Sequence, residues 1–100
     1  MPFTNGFRNL DDLRRHFLKH RERLGCFTTL KYEELADTFL GGLLGPNVAE
    51  CINSVGDQMR YDQITHEFGI LTPDRFIRTY LILPRSPAHN RLYFCENCKK

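Results

Sequence analysis

The sequence has no long apolar run. Its longest stretches, such as Tyr80-Leu81-Ile82-Leu83, are only a few residues long, whereas a helix needs about 20 apolar residues to cross a bilayer. The opening segment, MPFTNGFRNL, lacks the uninterrupted apolar core of a secretory signal. These absences predict a protein that has no membrane partner and acts in a cytoplasm. That cytoplasm can belong to a second cell, into which the protein is delivered.

Familiar catalytic motifs are missing as well. The chain has no Ser-His-Asp spacing, no nucleophile elbow, no glycine-rich phosphate loop and no His-x-x-x-His with a neighbouring glutamate. His16 and His20 have i, i+4 spacing, but their neighbours Arg15, Lys19 and Arg21 would repel a metal cation. The sequence therefore predicts neither a metal site nor a small-molecule cofactor.

The net charge is small, because 14 Lys and Arg residues balance 12 Asp and Glu residues to leave +2. The distribution of charge is more informative. Between Arg14 and Arg23 lie five Lys or Arg residues, two His and one Glu. Such a block is typical either of a solvated helix face or of a phosphate-binding surface.

Four cysteines occur, and in a chain without an export signal they predict reduced thiols rather than disulfides. Cys95 and Cys98 have C-x-x-C spacing, which is typical of metal or redox pairs. A structural zinc takes four ligands, however, and the other candidates (Cys26, Cys51 and His89) form no second close pair. A zinc-stabilised interaction domain is therefore a secondary interpretation.

A length of 100 residues corresponds to one domain, 1–100, and a hydrophobic content of 41% fits a folded chain. The apolar period is helical before Gly41-Gly42 and strand-like after it. We expect an α+β fold in which two N-terminal helices pack on an antiparallel four-stranded β-meander. The expected parts are helical over 8–41, sheet over 47–84 and an irregular tail over 85–100.

The first predicted helix is capped by Asn9 and ended by Gly25. His20 lies at the edge of its apolar stripe, where that stripe meets the basic residues; the stripe is Leu10, Leu13, Phe17 and Leu24. The second helix is capped by Thr28 or Thr29 and ended by Gly41. Its predicted buried stripe is Tyr32, Leu35, Ala36 and Phe39.

Four short strands follow, at Val48–Ile52, Gln58–Asp62, Glu67–Leu71 and Phe76–Leu83. The intervening turns are too short for helical crossovers, which is why the sheet is expected to be antiparallel. Alternation in the last strand predicts two faces. The core side is Ile77, Thr79, Leu81 and Leu83, and the other side is Phe76, Arg78, Tyr80 and Ile82.

The polar residues that remain suit phosphodiester chemistry without a metal. A histidine that titrates near neutrality can move a proton, Arg and Lys can neutralise a phosphate, and an aromatic ring can stack on an unpaired base. Taken singly, each feature is more often structural. His20 can be a boundary histidine, the basic block a solvated helix face, and Arg78 with Tyr80 an outer sheet face.

Several spaced segments together carry a resemblance. They are LRRHFLKH (13–20), MRYD (59–62), EFGIL (67–71), FIRTY (76–80) and LYF (92–94). Over residues 7–95 the chain resembles colicin D-like nuclease domains and the wider group of bacterial nuclease toxins related to barnase, EndoU and RelE. Gln63 and His66 stand where that pattern usually has Pro and Asn.

The resemblance implies metal-independent cleavage of transfer RNA. Lys19 and His20 match the family's Lys-His pair, so His20 is the expected catalytic acid or base. Lys19 and Arg78 would then hold the phosphate, Tyr80 would stack on or hydrogen-bond a base, and Thr79 is a further candidate.

Together with the basic block, the resemblance assigns RNA contacts to Arg14, Arg15, His16, Arg23 and Arg60. It also implies an acidic immunity or antitoxin protein as partner. The alternative is a non-catalytic RNA- or protein-binding module with the same fold.

Overall fold

Three helices and four strands make up the computed structural model, which describes residues 2–100. The elements are α1 (Leu10–Leu24), α2 (Thr29–Gly41), β1 (Val48–Ile52), β2 (Gln58–Asp62), β3 (Glu67–Leu71), β4 (Ile77–Ile82) and α3 (Pro87–Cys98). The strands form one antiparallel sheet in the order β1-β2-β3-β4. The predicted α+β class and β-meander are confirmed. None of the helices within residues 2–100 has the length and hydropathy needed to span a bilayer.

The helix ends follow from local capping chemistry. Asn9 Oδ1 accepts a 2.8 Å hydrogen bond from the N–H of Asp12, and Thr28 Oγ1 accepts one of 3.1 Å from the N–H of Lys31. Gly25 ends α1 in the left-handed conformation, with φ at 65°, which a glycine adopts without steric cost. These predicted boundaries are confirmed.

Two hydrophobic cores lie on opposite faces of the sheet. The first packs α1 and α2 against it and contains Phe7, Leu13, Phe17, Cys26, Tyr32, Ala36, Leu40, Leu71, Ile77 and Tyr80. The second packs α3 against the other face and contains Met59, Tyr61, Phe68, Leu83 and Phe94. Leu10, predicted to be buried, is exposed. Both faces of the sheet are therefore covered.

The tail expected to be irregular is in fact α3, so that prediction is wrong. Ser86 Oγ accepts from the N–H of His89, and Pro87 occupies the first turn. Only Asn90 and Phe94 of this helix are buried. Because its contact with the sheet is so narrow, the helical period is barely visible in the sequence.

A register shift in the β3–β4 pair changes the faces predicted for the last strand. Gly69 pairs with Tyr80 and Ile70 with Thr79, but Leu71 pairs with Ile77, so Arg78 is the extra residue of a bulge. The bulge turns Ile77 and Tyr80 into the same core. The prediction that Ile77, Leu81 and Leu83 share one core side is therefore wrong.

A disulfide joins Cys51 of β1 to Cys98 at the end of α3, with their Cα atoms 6.0 Å apart. This contradicts the prediction of reduced thiols and splits the Cys95–Cys98 pair. Cys26 is buried and free, and Cys95 is exposed and free. Sequence spacing gave no sign of the bond, because its two sulfurs meet only when α3 docks beside β1.

Candidate functional site

The basic block lies on the solvent-facing side of α1. Arg14, Arg15, Lys19, Arg21 and Arg23 are all exposed, and the Arg15 guanidinium is paired with the carboxylate of Asp12. An exposed array of cations on one rigid helix produces a positive potential that attracts phosphate-bearing polymers. The structure therefore leaves this face available to an anionic partner.

His16 and His20 form a pair beside these cations. They lie one helical turn apart, their ring centroids are separated by 6.0 Å, and both side chains are half-buried. The ring of Phe7 lies 5.4 Å from that of His16 and closes one side of the pair. Nδ1 of His16 is buried without a hydrogen-bond partner among residues 2–100, which is an uncommon state for a buried polar atom in a native fold.

Burial lowers the pKa of both imidazoles below the ordinary value of 6.5. Desolvation makes the largest contribution to the lowered pKa of His16. The nearby Asp12 charge opposes this lowering, and the charges of Arg15 and Lys19 reinforce it. For His20 the charges of His16 and Lys19 add to the desolvation, so every cause acts to lower the pKa. Both rings are therefore mainly neutral at pH 7, and a neutral imidazole can accept a proton from a hydroxyl group.

Tyr80 does not have the environment that its predicted role requires. Only 1% of the residue is exposed, and its ring packs with those of Tyr32 and Phe39, each with its centroid 5.7 Å away. Its hydroxyl donates a 2.5 Å hydrogen bond to Glu67 Oε2, and burial raises its pKa above the ordinary range. A ring enclosed in this way offers no face to a base, so the geometry lends no support to the stacking role predicted for Tyr80.

Arg78 and Thr79 have neighbours other than the α1 histidines. The Arg78 guanidinium donates a 2.9 Å hydrogen bond to Oδ2 of Asp57, a buried carboxylate just before β2. Thr79 lies opposite Ile70, on the α3 side of the sheet. Among residues 2–100, neither of them makes a hydrogen bond, ion pair or ring contact with His20. The expected cluster of His20 with β4 residues is therefore not formed by direct contacts.

Arg60 is a structural residue rather than part of an RNA-binding surface. It is buried; Nη1 donates to the carbonyls of Phe39 (3.0 Å) and Gly42 (2.8 Å), and Nε donates to Glu50 Oε2 at 2.6 Å. These bonds satisfy carbonyls at the end of α2 and tie that helix to β2. With its guanidinium occupied by these internal partners, the geometry lends no support to the RNA contact predicted for Arg60.

A polar network that no sequence motif indicated lies on the α3 side of the sheet. Tyr61 and His66 are joined by a 2.7 Å hydrogen bond between the phenol oxygen and Nδ1, and Nδ2 of Asn90 lies 3.2 Å from the same nitrogen. His66 has a positive φ of 66°, which is uncommon for a residue with a side chain. A histidine in a short turn between two strands was the sequence signal that could have drawn attention to it.

Within residues 2–100 no group of three or more His, Cys, Asp or Glu side chains is arranged to hold a metal ion. The zinc interpretation also loses Cys98, which is bonded to Cys51. No protein-family profile matches this chain, and no curated protein matches it. The side chains themselves are therefore the guide to function.

Proposed function

We propose that this chain is a metal-independent endoribonuclease whose proton-transfer groups are His20 and His16. The observation that carries the proposal is the half-buried imidazole pair, with ring centroids 6.0 Å apart, beside the exposed cations Arg15, Lys19 and Arg23 of the same helix. Two imidazoles on one side of a helix can both reach a single phosphodiester. RNA cleavage needs one group to remove a proton and another to donate one.

In the proposed reaction the RNA supplies its own nucleophile. His20 accepts the proton of the 2′-hydroxyl while that oxygen bonds to the adjacent phosphorus, and the bond from phosphorus to the 5′-oxygen breaks. The protonated form of His16, a minority at pH 7 that the nearby Asp12 charge stabilises, donates a proton to the departing 5′-oxygen. The products are a 2′,3′-cyclic phosphate and a 5′-hydroxyl, so atoms and protons balance without water or a metal.

The two histidines are assigned by their charged neighbours. Asp12 stabilises the protonated form of His16, which suits the acid, whereas no carboxylate favours protonation of His20. Lys19 lies between them on the exposed side and supplies positive charge for the phosphate in the transition state. Tyr80 and Arg78 have no part in this version of the mechanism.

The proposed substrate is an RNA with an unpaired loop, such as transfer RNA. Arg14, Arg15 and Arg23 extend the positive surface along α1 and would contact successive phosphates. The proposed site of action is a cytoplasm. A cell that makes such a toxin needs a neutraliser, and an acidic immunity or antitoxin protein covering the α1 face would complement its charge.

The experiment compares the wild type with His20→Ala, His16→Ala and Lys19→Ala on a transfer RNA pool containing a metal chelator. Each histidine variant is expected to cleave at least about 100-fold more slowly, the usual size of general acid or base catalysis. Lys31→Ala, an exposed lysine on α2, is the matched control for Lys19→Ala. End-group analysis should find 2′,3′-cyclic phosphates.

Unchanged cleavage by His20→Ala would remove His20 from the mechanism. If the wild type binds transfer RNA without cutting it, the non-catalytic RNA-binding module is correct instead. In that case the histidine variants would alter stability and binding only.

A further inference from the structure

A groove lies between the end of the sheet and α3, on the face opposite α1 and α2. It consists of two adjoining cavities of about 280 and 310 Å³ that share Arg85, His89 and Tyr93. The apolar floor is formed by Leu81, Leu83 and Pro84. Cavities of this size, with an apolar floor and a few polar groups at the rim, are typical of small-ligand sites.

The wall of the groove is held rigidly by Asn90, which is 1% exposed. Its Nδ2 lies within hydrogen-bond distance of the carbonyls of Leu83 (3.3 Å) and Arg85 (3.1 Å), and its Oδ1 accepts from the N–H of Arg85 at 3.2 Å. These backbone contacts determine which end of the amide carries the nitrogen. The same Nδ2 lies 3.2 Å from Nδ1 of His66, which joins this wall to the polar network of Tyr61 and His66.

The rim offers cationic and aromatic groups that the protein itself does not use. Arg85 is exposed, and its guanidinium makes no ion pair within residues 2–100. The Nδ1 atom of His89 lies 2.9 Å from Ser86 Oγ, which leaves Nε2 for a ligand. Both residues lie at the start of α3, where the helix dipole favours an anion.

Tyr93 forms the aromatic side of the groove. Its ring packs edge-on against Phe68, with centroids 5.4 Å apart, and 49% of the residue is exposed. It is therefore held in place while keeping a free surface for stacking. Glu96 lies at the same end of the groove, so an anionic group is favoured at the Arg85 end and a neutral ring at the Tyr93 end.

We propose that this groove binds one nucleotide, with the phosphate at Arg85 and His89 and the base against Tyr93. The nucleotide is either free or one unit of an RNA strand. The site is separate from the histidine pair on α1, so its test is independent of the ribonuclease proposal.

The experiment titrates the whole chain with inorganic phosphate, adenosine 5′-monophosphate and a single-stranded 2′-O-methyl RNA hexamer, followed by amide NMR shifts. The hexamer lacks the 2′-hydroxyl nucleophile, so cleavage cannot interfere. Shifts are expected around Arg85, His89 and Tyr93. Arg85→Ala should weaken adenosine monophosphate binding about tenfold or more, as expected for loss of a charged hydrogen bond.

Tyr93→Leu should reduce adenosine monophosphate affinity about tenfold, towards that of phosphate, because stacking is lost while the apolar contact with Phe68 is kept. Arg91→Ala is the matched control: Arg91 is an exposed arginine of the same helix that lines a different cavity. It should change affinity less than twofold.

A hexamer that binds tenfold more tightly than the mononucleotide, with the same sensitivity to Arg85→Ala, identifies a strand as the source. Equal affinities identify a free nucleotide. Equal losses from Arg85→Ala and Arg91→Ala, or shifts confined to α1, would overturn the proposal. Arg85→Gln repeats the test with the hydrocarbon stem retained.

Discussion

Breaking the tether between β1 and α3 is expected to be the most costly single change to this fold. The disulfide from Cys51 to Cys98 spans 47 positions of the chain and encloses three strands of the sheet. In the chain-entropy relation, a closed loop of that length lowers the entropy of the unfolded chain enough to stabilise the native state by about 4 kcal/mol. A domain of this size has a total stability of about 5–15 kcal/mol, so the tether is a large fraction of it.

The change is Cys51→Ala with Cys98→Ala, measured by urea unfolding followed by circular dichroism. We expect the free energy of unfolding to fall by about 4 kcal/mol, and the wild type in excess dithiothreitol should fall similarly. Cys95→Ala removes an exposed free thiol from the same helix and should change stability by less than about 0.5 kcal/mol. If the double variant matches the wild type, and reductant has no effect, the two cysteines are not bonded in the native protein.

Three further outcomes are expected. Tyr80→Phe removes the hydrogen bond to Glu67 and should cost about 1 kcal/mol in urea unfolding while leaving RNA cleavage unchanged; a large loss of cleavage would restore a direct role for Tyr80. Asn90→Ala leaves three backbone groups of the 83–85 segment without their partner and should cost about 2–3 kcal/mol. Asn97→Ala, at a half-buried position where the amide donates only to the Tyr93 carbonyl of the same helix, should cost less than about 1 kcal/mol. Because folding lowers the pKa of His16 and His20 below 6.5, the unfolded chain binds more protons, and stability should fall as pH drops through 6.5 towards the folded values. The His16→Ala, His20→Ala double variant should flatten that dependence, and an unchanged slope would contradict the assignment.

The candidate site divides between what was predictable and what was not. The position of His16 and His20, beside a basic face and at the edge of an apolar one, follows from the 3.6-residue period of α1 alone. The contacts expected between His20 and residues of β4 could not be derived from such a period. Alternation places Tyr80 and Arg78 on the same face of the sheet only if the strand register is unbroken. The bulge beside Ile70 and Leu71 breaks that register.

Local chemistry was sufficient to predict the elements whose capping and turn residues lie within a few positions of them. The ends of the first two helices are set locally. Asn9 and Thr28 cap the helices with their side chains, and Gly25 ends α1 through its backbone freedom. The short turns between strands left the antiparallel meander as the expected sheet, as observed. In each case the interacting groups are close in the chain, so the sequence alone determined the result.

Tertiary structure decided the features that depend on distant contacts. Phe94 of α3 packs on Tyr61 and Phe68 of the sheet, and Cys98 meets Cys51 only after that docking. The burial of Tyr80 likewise requires both Tyr32 and Phe39 from α2. These interactions join residues tens of positions apart, and their energies exist only when the layers are packed, so no local pattern in the sequence records them.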